Sequence, residues 1–262
     1  MFSEKKVMFI TGAGAGIGEA IALHQAQQGY AVVISDLHIE LAEKVKNKAM
    51  ALGAQDVLAL QCDISQEQSV IEAFDQSISY FNAVPTGIVA NAGIEITKMA
   101  HETSLAEWEH VIKTNLTGTF LTCREAIKQL INNNIAGSLV CISSPSASVG
   151  FAGGANSAYG ASKGGISALV KALAIDYASH HIRVNAVVPG ATDTELLKVT
   201  TNNAEHASLE QRIKTQIPAQ RLAKPEEIAH AVDWLLSTHS SYITGSHLYV
   251  DGGLTARGAN DF

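Results

Sequence analysis

Short apolar runs alternate with longer segments of helical periodicity along the whole chain. Most of these runs are continuously apolar, which is typical of strands that are covered on both faces of a parallel sheet. The predicted strands are residues 7–10, 31–35, 57–61, 87–90, 138–142, 183–188 and 248–250. The predicted helices are residues 17–28, 39–52, 66–80, 105–131, 158–179 and 225–238. This order predicts an α/β fold in which right-handed crossovers place helices on both faces of one sheet.

The organisation of the chain favours one domain over residues 1–262, because no linker, repeat or low-complexity tract interrupts it. One region departs from the regular alternation of strands and helices. Residues 192–218 are polar, contain TTNNAEH, and follow a predicted strand. A long polar insertion at that point predicts a substrate lid or binding loop.

Charge and composition exclude several classes of protein. The 262 residues carry a formal net charge of −7 and contain no basic run, which argues against a nucleic-acid partner. No apolar stretch reaches the roughly 18 residues of a membrane span, and no signal peptide precedes the first strand, so we expect a cytoplasmic protein. Cys62, Cys123 and Cys141 form no C-x-x-C pair. We therefore expect buried thiols in a reducing compartment and no metal site.

A glycine-rich turn joins the first predicted strand to the first predicted helix. Its glycines follow the spacing G-x-x-x-G-x-G rather than G-x-G-x-x-G. Glycines here allow a tight turn and a close approach to a pyrophosphate, and the helix N-terminus presents free N–H groups to the anion. The residues expected at the phosphates are Gly12, Gly14, Gly16, Ile17 and Gly18.

An acidic residue, Asp36, ends the second predicted strand, 24 residues after Gly12. A carboxylate at about that distance hydrogen-bonds the adenosine ribose hydroxyls of NAD. Its charge would also repel the 2′-phosphate of NADP. The adjacent Leu37 is neutral, and His38 is mostly uncharged at neutral pH. We therefore expect NAD as the cofactor, with NADP the less favoured alternative.

Eight short motifs follow one another along the chain: TGAGAGIG at 11–18, Asp63, NAG at 91–93, Asn115, ISS at 142–144, YGASK at 159–163, PG followed by Thr194, and DGG at 251–253. With these motifs the chain resembles the classical short-chain dehydrogenase/reductase family over nearly its full length. The resemblance implies a Rossmann-type doubly wound sheet of seven parallel strands. It also implies a homotetramer, in which helices 105–131 and 158–179 pack against symmetry mates and residues 248–262 form a second contact.

The resemblance also implies cofactor contacts after the third, fourth and sixth predicted strands. Asp63, with Ile64 beside it, is implied to contact the adenine amino group. The other implied residues pass near the ribose or hold the nicotinamide carboxamide. They are Asn91, Ala92, Gly93, Pro189, Gly190, Thr192 and Thr194, together with Tyr159 and Lys163.

Tyr159 and Lys163 are four residues apart in a predicted helix, so both lie on one face about a turn apart. A tyrosine hydroxyl has a pKa near 10 and is a poor base at neutral pH. A neighbouring ammonium and the positive nicotinamide ring both favour the phenolate. We therefore expect Lys163 to lower the pKa of Tyr159, so that Tyr159 can take a proton from an alcohol as the catalytic acid/base.

Ser144 and Asn115 complete the candidate catalytic group. Ser144 follows the fifth predicted strand and would donate a hydrogen bond to the substrate oxygen. Ser146 stands at the commoner spacing from Tyr159 in relatives and is the alternative. Asn115 is implied to anchor a water that links Lys163 to solvent. Together these residues predict the interconversion of a secondary alcohol and a ketone, with the hydride carried by the cofactor.

The expected substrate pocket is modest and mostly apolar, and is formed by Ile94, Glu95, Ser146, Phe151, Ala152, Leu196 and Leu197. A polyol, sugar, hydroxyacid or hydroxysteroid would fit this description. One alternative is a 3-oxoacyl-(acyl-carrier-protein) reductase, which usually prefers NADP and docks an acidic carrier. Asp36 and the neutral residues 132–134 oppose that alternative. A non-catalytic NAD(H) sensor would carry a damaged catalytic group, whereas all four residues are present.

Overall fold

The computed structural model of the protein describes residues 6–151, 153–194, 213 and 215–258. The strands are β1 (Val7–Thr11), β2 (Ala31–Asp36), β3 (Val57–Gln61), β4 (Gly87–Ala90), β5 (Gly137–Ile142), β6 (Ile182–Pro189) and β7 (His247–Val250). The helices are α1 (Gly16–Gln27), α2 (Ile39–Ala51), α3 (Glu67–Phe81), α4 (Leu105–Ile112), α5 (Gly118–Asn132), α6 (Ser157–Tyr177) and α7 (Pro225–Leu236). These strands form one parallel sheet in the order β3-β2-β1-β4-β5-β6-β7. The predicted Rossmann-type α/β fold is confirmed.

Helices cover both faces of the sheet, which explains why its strands are continuously apolar. Successive side chains of a strand point to opposite faces. In β1, Val7 and Phe9 join the core beneath α3, α5 and α6, whereas Ile10 joins the core beneath α1, α2 and α7. Phe9 stacks on Phe74 of α3, with the ring centroids 4.3 Å apart. Strands β1 to β6 therefore contribute apolar side chains to two separate cores, whereas Leu248 and Val250 of β7 pack on the second core alone.

The strand order reverses between β1 and β4, and this reversal positions the site. The chain runs outward from β1 to β3 and then returns to the other side of β1 as β4. The connections that leave the two strands therefore diverge at their carboxyl ends. In open α/β sheets, ligands bind in the crevice that such a reversal opens.

Residues 105–131 are helical as predicted, but they do not form one regular α-helix. A π-helical turn, Lys113–Thr117, separates α4 from α5. The apolar periodicity continues across this turn, so the pattern does not reveal the break. The π turn places Asn115 fully inside the protein, and such turns are frequent at functional sites. The other predicted strands and helices agree with the observed bounds to within two residues.

Most of the lid predicted over residues 192–218 lies outside the described residues, as do Ala152, Leu196 and Leu197 of the expected pocket. Of the helices that are described, none combines the length and the apolar character needed to cross a membrane.

Candidate active site

The glycine turn lies at the carboxyl end of β1 and is left-handed at two positions, with φ +60° at Gly12 and +57° at Gly16. Glycine adopts this conformation without steric cost. A Cβ on Gly12 would lie 2.7 Å from the Cα of Ala92, and one on Gly18 would collide with the Gly12 carbonyl oxygen. Helix α1 begins directly after the turn, and its N-cap residue Ala15 supplies no side-chain cap. The first amides of α1 are therefore available to an anion.

Asn91, just after β4, ties this turn to the neighbouring strand. Its side-chain amide donates to the carbonyl oxygens of Thr11 at 2.9 Å and Gly12 at 3.0 Å. The backbone N–H groups of Asn91 and Ala92 donate to the Thr11 hydroxyl at 3.0 and 3.2 Å. The Asn91 side chain is therefore engaged in holding the turn in shape, and its closeness to the ribose stays a prediction.

Asp36 ends β2 next to the turn. One carboxylate oxygen accepts the Gly14 N–H at 2.9 Å, and the other accepts the His38 N–H at 3.0 Å. A Cβ on Gly14 would lie 2.8 Å from the Asp36 Oδ2 atom, so glycine is needed there. The adjacent Leu37 is half exposed, and the His38 ring lies 3.7 Å from Glu40. Two backbone amides fix the carboxylate and leave acceptor positions for a pair of ribose hydroxyls.

Asp63 follows β3 and shapes the turn that leads into α3. Its Oδ1 atom accepts the Ser65 N–H at 2.9 Å, and its own N–H donates to the Ser69 hydroxyl at 3.0 Å. Ile64 is buried against Gly118, where a Cβ would lie 2.6 Å from the Ile64 Cδ1 atom. Asp63 therefore stabilises the turn and Ile64 packs against α5, whereas the adenine contact of Asp63 stays a prediction.

The segment after β6 returns from Pro189 to the glycine turn. The Thr192 hydroxyl is buried and donates to the carbonyl oxygen of Gly190 at 2.9 Å. Thr194 lies against the turn, because a Cβ on Gly16 would come 3.3 Å from the Thr194 Cγ2 atom. The structure therefore brings the predicted nicotinamide-binding segment to the predicted phosphate-binding turn.

Helix α6 places Tyr159 in its first turn and Lys163 one turn later. The Lys163 side chain is buried, and its Nζ atom donates to the carbonyl oxygen of Ile142 at 2.8 Å. That Nζ atom lies 5.5 Å from the centroid of the Tyr159 ring. It also faces Gly93, on which a Cβ would lie 3.7 Å from it. The two residues meet beside the crevice as predicted.

Burial controls the protonation of this pair. It lowers the pKa of Lys163 to about 8. Burial also raises the pKa of Tyr159 to about 12. The Glu95 carboxylate acts on that pKa in the same direction, and the nearby Ser144 hydroxyl opposes both effects. The expected lowering of the Tyr159 pKa is therefore wrong for the protein by itself, because desolvation of the phenolate outweighs the opposing contributions. Tyr159 is held as a phenol, ready to donate a proton.

Ser144, two residues after β5, is the serine that lies near enough to Tyr159 to act on its pKa, in the lowering direction. Its Oγ atom also accepts the hydroxyl of Ser146 at 2.8 Å and the Ser146 N–H at 3.3 Å. The Ser143 hydroxyl lies 3.0 Å from that of Ser167 and so belongs to a different contact. The geometry supports Ser144 over Ser146 as the serine of the catalytic group, with Ser146 positioned to orient it.

Asn115 is fully buried in the π turn and uses both ends of its side chain. Its Oδ1 atom accepts the Ile94 N–H at 2.8 Å, and its Nδ2 atom donates to the Ile94 carbonyl oxygen at 2.8 Å. The same Nδ2 atom donates to the Ser162 hydroxyl at 3.0 Å, which in turn donates to the Tyr159 carbonyl oxygen at 2.7 Å. Asn115 thus fixes the strand-end segment against α6, and its water relay stays a prediction.

Known proteins resemble the chain over nearly its whole length. A family model described as enoyl-(acyl carrier protein) reductase matches residues 12–255. Glucose 1-dehydrogenase 2 of Bacillus subtilis is 36% identical in an alignment 259 residues long, which covers 95% of each chain. A 3-oxoacyl-(acyl-carrier-protein) reductase of Aggregatibacter actinomycetemcomitans is 36% identical over 250 residues, which are 95% of this chain and 99% of the other. The crystal structure of a short-chain type dehydrogenase/reductase from Mycobacterium marinum has a TM-score of 0.90 at 32% identity, over 96% of both chains.

The chain belongs to the short-chain dehydrogenase/reductase family. It is an oxidoreductase whose family binds a nicotinamide dinucleotide. Its own residues fit such a group: the left-handed glycines, the uncapped start of α1 and the fixed Asp36 carboxylate lie together at the crevice. Within the described part of the chain, no cluster of His, Cys, Asp or Glu could hold a metal ion.

Glu95 has more influence on this dehydrogenase/reductase site than its expected place in the pocket lining suggested. After burial, its carboxylate adds to the rise in the pKa of Tyr159, and it opposes the lowering of the Lys163 pKa that burial causes. Burial raises the pKa of Glu95 itself, and Lys163 opposes that rise. A carboxylate two residues after the NAG motif is the sequence signal that could have drawn attention to it.

Proposed function

We propose that the protein is an NAD(H)-dependent oxidoreductase that interconverts a secondary alcohol and a ketone. The observation that carries this proposal is the meeting of three side chains at the crevice. The Ser144 hydroxyl lies near enough to Tyr159 to act on its pKa, and the Lys163 ammonium lies 5.5 Å from the Tyr159 ring. A phenol, a hydroxyl donor and a buried ammonium form the polar group that a carbonyl reduction needs.

Each side chain has a separate task. In the reductive direction Tyr159 donates its proton to the carbonyl oxygen, while Ser144 stabilises the charge that develops there. Lys163 supports the phenolate that Tyr159 leaves behind. Asn115 holds the segment opposite α6 through Ile94. When bound, a nicotinamide dinucleotide supplies or accepts the hydride.

The preference for NAD over NADP is inferred from Asp36. Its carboxylate is held next to the glycine turn by the amides of Gly14 and His38. A ribose diol can donate to this carboxylate, whereas a 2′-phosphate would be repelled by it. The half-exposed Leu37 offers that phosphate no compensating charge.

A panel of secondary alcohols tests the proposal, with NAD⁺ and NADP⁺ compared side by side at the NADH absorbance band. We expect NAD⁺-dependent oxidation. Tyr159→Phe should lose about 10²–10⁴-fold in kcat/KM, the usual contribution of a general acid/base, while still binding NADH. Tyr80→Phe, which changes an exposed tyrosine on α3, is the matched control and should leave the rate unaltered.

Three results would contradict the proposal. Full turnover by Tyr159→Phe would remove the acid/base assignment. NADH binding by the wild type without oxidation of any alcohol would favour a non-catalytic NAD(H)-binding role. Turnover with NADPH and a 3-oxoacyl substrate, in preference to NADH, would favour the carrier-protein reductase alternative.

We further infer a cytoplasmic homotetramer. The three cysteines, Cys62, Cys123 and Cys141, are buried free thiols, in keeping with a reducing compartment. Apolar side chains of α6 and of the segment before and within α5 lie together at the surface, among them Leu116, Phe120 and Leu169. This face supports the predicted packing of those helices against symmetry mates.

A further inference from the structure

Ser146 lies in a short 3₁₀ turn, Pro145–Ala147, which begins directly after Ser144. The buried Pro145 presets the backbone φ angle at the start of this turn. The Ala147 N–H donates to the Ser144 carbonyl oxygen at 3.0 Å and so closes the turn. Ser146 is therefore held at a fixed position relative to Ser144.

Helix α6 fixes the same turn from the other side. A Cβ on Gly160 would lie 3.2 Å from the Ser146 carbonyl oxygen, so a glycine lets the first turn of α6 pack closely on Ser146. Gly160 directly follows Tyr159 in that helix. The Ser146 backbone is therefore held between Ser144 and the helix that carries Tyr159.

The Ser144 hydroxyl oxygen accepts two hydrogen bonds, and both come from Ser146. The Ser146 hydroxyl donates to it at 2.8 Å, and the Ser146 N–H donates to it at 3.3 Å. A hydroxyl group has two acceptor positions and one donor. Because both acceptor positions are filled, the hydrogen bond that Ser144 still has to offer is the one that it donates.

A hydroxyl held in this way suits the task of Ser144 in the proposed function. Carbonyl reduction places negative charge on the substrate oxygen, and a donor stabilises that charge best when it is aimed before the reaction begins. A serine with a free acceptor position could instead accept from a substrate hydroxyl or from water, and its own proton would then point elsewhere. The hydroxyl of Ser146 also polarises that of Ser144, which makes Ser144 a stronger donor.

We propose that Ser146 is a positioning residue, which fills both acceptor positions of Ser144 and so makes Ser144 a dedicated hydrogen-bond donor to the substrate oxygen. This inference rests on the proposed alcohol–ketone function, in which Ser144 stabilises the charge on that oxygen. The effect of the Ser146 hydroxyl on the rate therefore passes entirely through Ser144.

Ketone reduction by variants of the two serines tests the inference. The probe is cyclohexanone with NADH, or the ketone of whichever panel alcohol the wild type oxidises fastest. Ser144→Ala removes the donor to the substrate oxygen and should lose about 10²–10³-fold in kcat. Ser146→Ala keeps the backbone N–H but frees one acceptor position of Ser144. Its kcat should fall about 3- to 10-fold, the usual size of one hydrogen bond, while its NADH affinity stays unaltered.

The double variant separates positioning from a general structural role. If the Ser146 hydroxyl acts through Ser144, its removal has nothing to act on once Ser144 is alanine. Ser144→Ala/Ser146→Ala should therefore be no slower than Ser144→Ala alone. A residue that only stabilised the turn would cost the same factor in kcat in both backgrounds.

Ser146→Thr and Ser148→Ala supply the controls. The threonine restores a donating hydroxyl and should recover most of the wild-type kcat. Ser148 is an exposed serine two residues further along, and its hydroxyl lies 3.2 Å from that of Tyr249. Its replacement should leave kcat unaltered. NADH binding by each variant shows that the chain is folded, and Ser146→Cys, which keeps only a weak donor, takes the place of the alanine variant if that variant does not bind NADH.

Three outcomes would overturn the role of Ser146 and leave the alcohol–ketone function standing. One is a wild-type kcat in Ser146→Ala, and another is an equal loss from this change with Ser144 present and absent. The third is a larger loss from Ser146→Ala than from Ser144→Ala, which would make Ser146 itself the donor to the substrate. If the wild type oxidises no alcohol and reduces no ketone with either cofactor, both proposals fail.

Discussion

At the scale of single residues, the buried Tyr159–Lys163 pair sets a pH dependence with a definite sign. Oxidation needs the Tyr159 phenolate, whose fraction rises tenfold per pH unit below its pKa of about 12. The Lys163 ammonium is present below its pKa of about 8 and is lost above it. The rate of alcohol oxidation should therefore rise with a slope near one up to pH 8 and then level off, because the two changes oppose each other.

This profile can be measured as log kcat/KM from pH 6 to 10 in the oxidative direction, with samples returned to neutral pH to show that no activity is lost irreversibly. Ketone reduction serves as the internal comparison, since phenol is the dominant form of Tyr159 below pH 8 and its supply of protons is constant there. A flat oxidation profile between pH 6 and 8 would show that proton removal by Tyr159 does not limit the reaction.

The sequence predicts which site residues lie together where the residues are close to each other in the chain. Tyr159 and Lys163 share one helical face, and that spacing alone predicts their meeting. The sequence does not predict the hydrogen bonds that a side chain makes with residues far away in the chain. The carboxylate of Asp36 binds the amide of Gly14, and the Asn91 amide binds the turn backbone, through contacts that span 22 and about 80 residues.

At the scale of secondary-structure elements, Gly12 and Gly29 form a natural comparison. Both have positive φ, +60° and +83°, but a Cβ on Gly12 would strike Ala92 whereas one on Gly29 meets nothing within 4 Å. Gly29→Ala should therefore cost only the left-handed strain of about 1–2 kcal/mol. Gly12→Ala adds overpacking of about 1–3 kcal/mol and pushes the turn away from β4.

Urea unfolding and NADH titration of the two variants check this expectation. Gly12→Ala should lose more unfolding free energy than Gly29→Ala and should bind NADH at least about tenfold more weakly, or 1.4 kcal/mol. Gly29→Ala should bind NADH as the wild type does. If both variants keep the wild-type NADH affinity, the glycine turn is not the phosphate-binding element.

The elements themselves were predictable because apolar periodicity reports burial directly. The exception is the π turn between α4 and α5, where the apolar pattern continues unbroken. The turn is stabilised by the hydrogen bonds of Asn115 to Ile94, a contact 21 residues away in the chain. Such a contact forms only in the tertiary structure, so the local sequence around residue 115 does not predict it.

At the scale of the whole molecule, the surface of α5 and α6 determines the proposed assembly. Gly165 lets the π turn approach α6, since a Cβ there would lie 2.7 Å from the Leu116 Cδ2 atom. The groove beside it is lined by small and apolar residues, including Ala168, Leu169 and Phe120. The exposed small residues on α6 allow another helix to approach closely, which suits the face-to-face packing of two copies.

Ala168→Arg tests this assembly, because it places a charge in the middle of the groove without touching the catalytic residues. The desolvated guanidinium would have no partner there, so we expect the protein to fall from four chains to two, as measured by light scattering on a sizing column. Met50→Arg makes the same kind of change at an exposed apolar position of α2 and should leave four chains together. A wild type that runs as a monomer, or an Ala168→Arg variant that keeps the wild-type mass, would show that copies of the chain do not meet through α5 and α6.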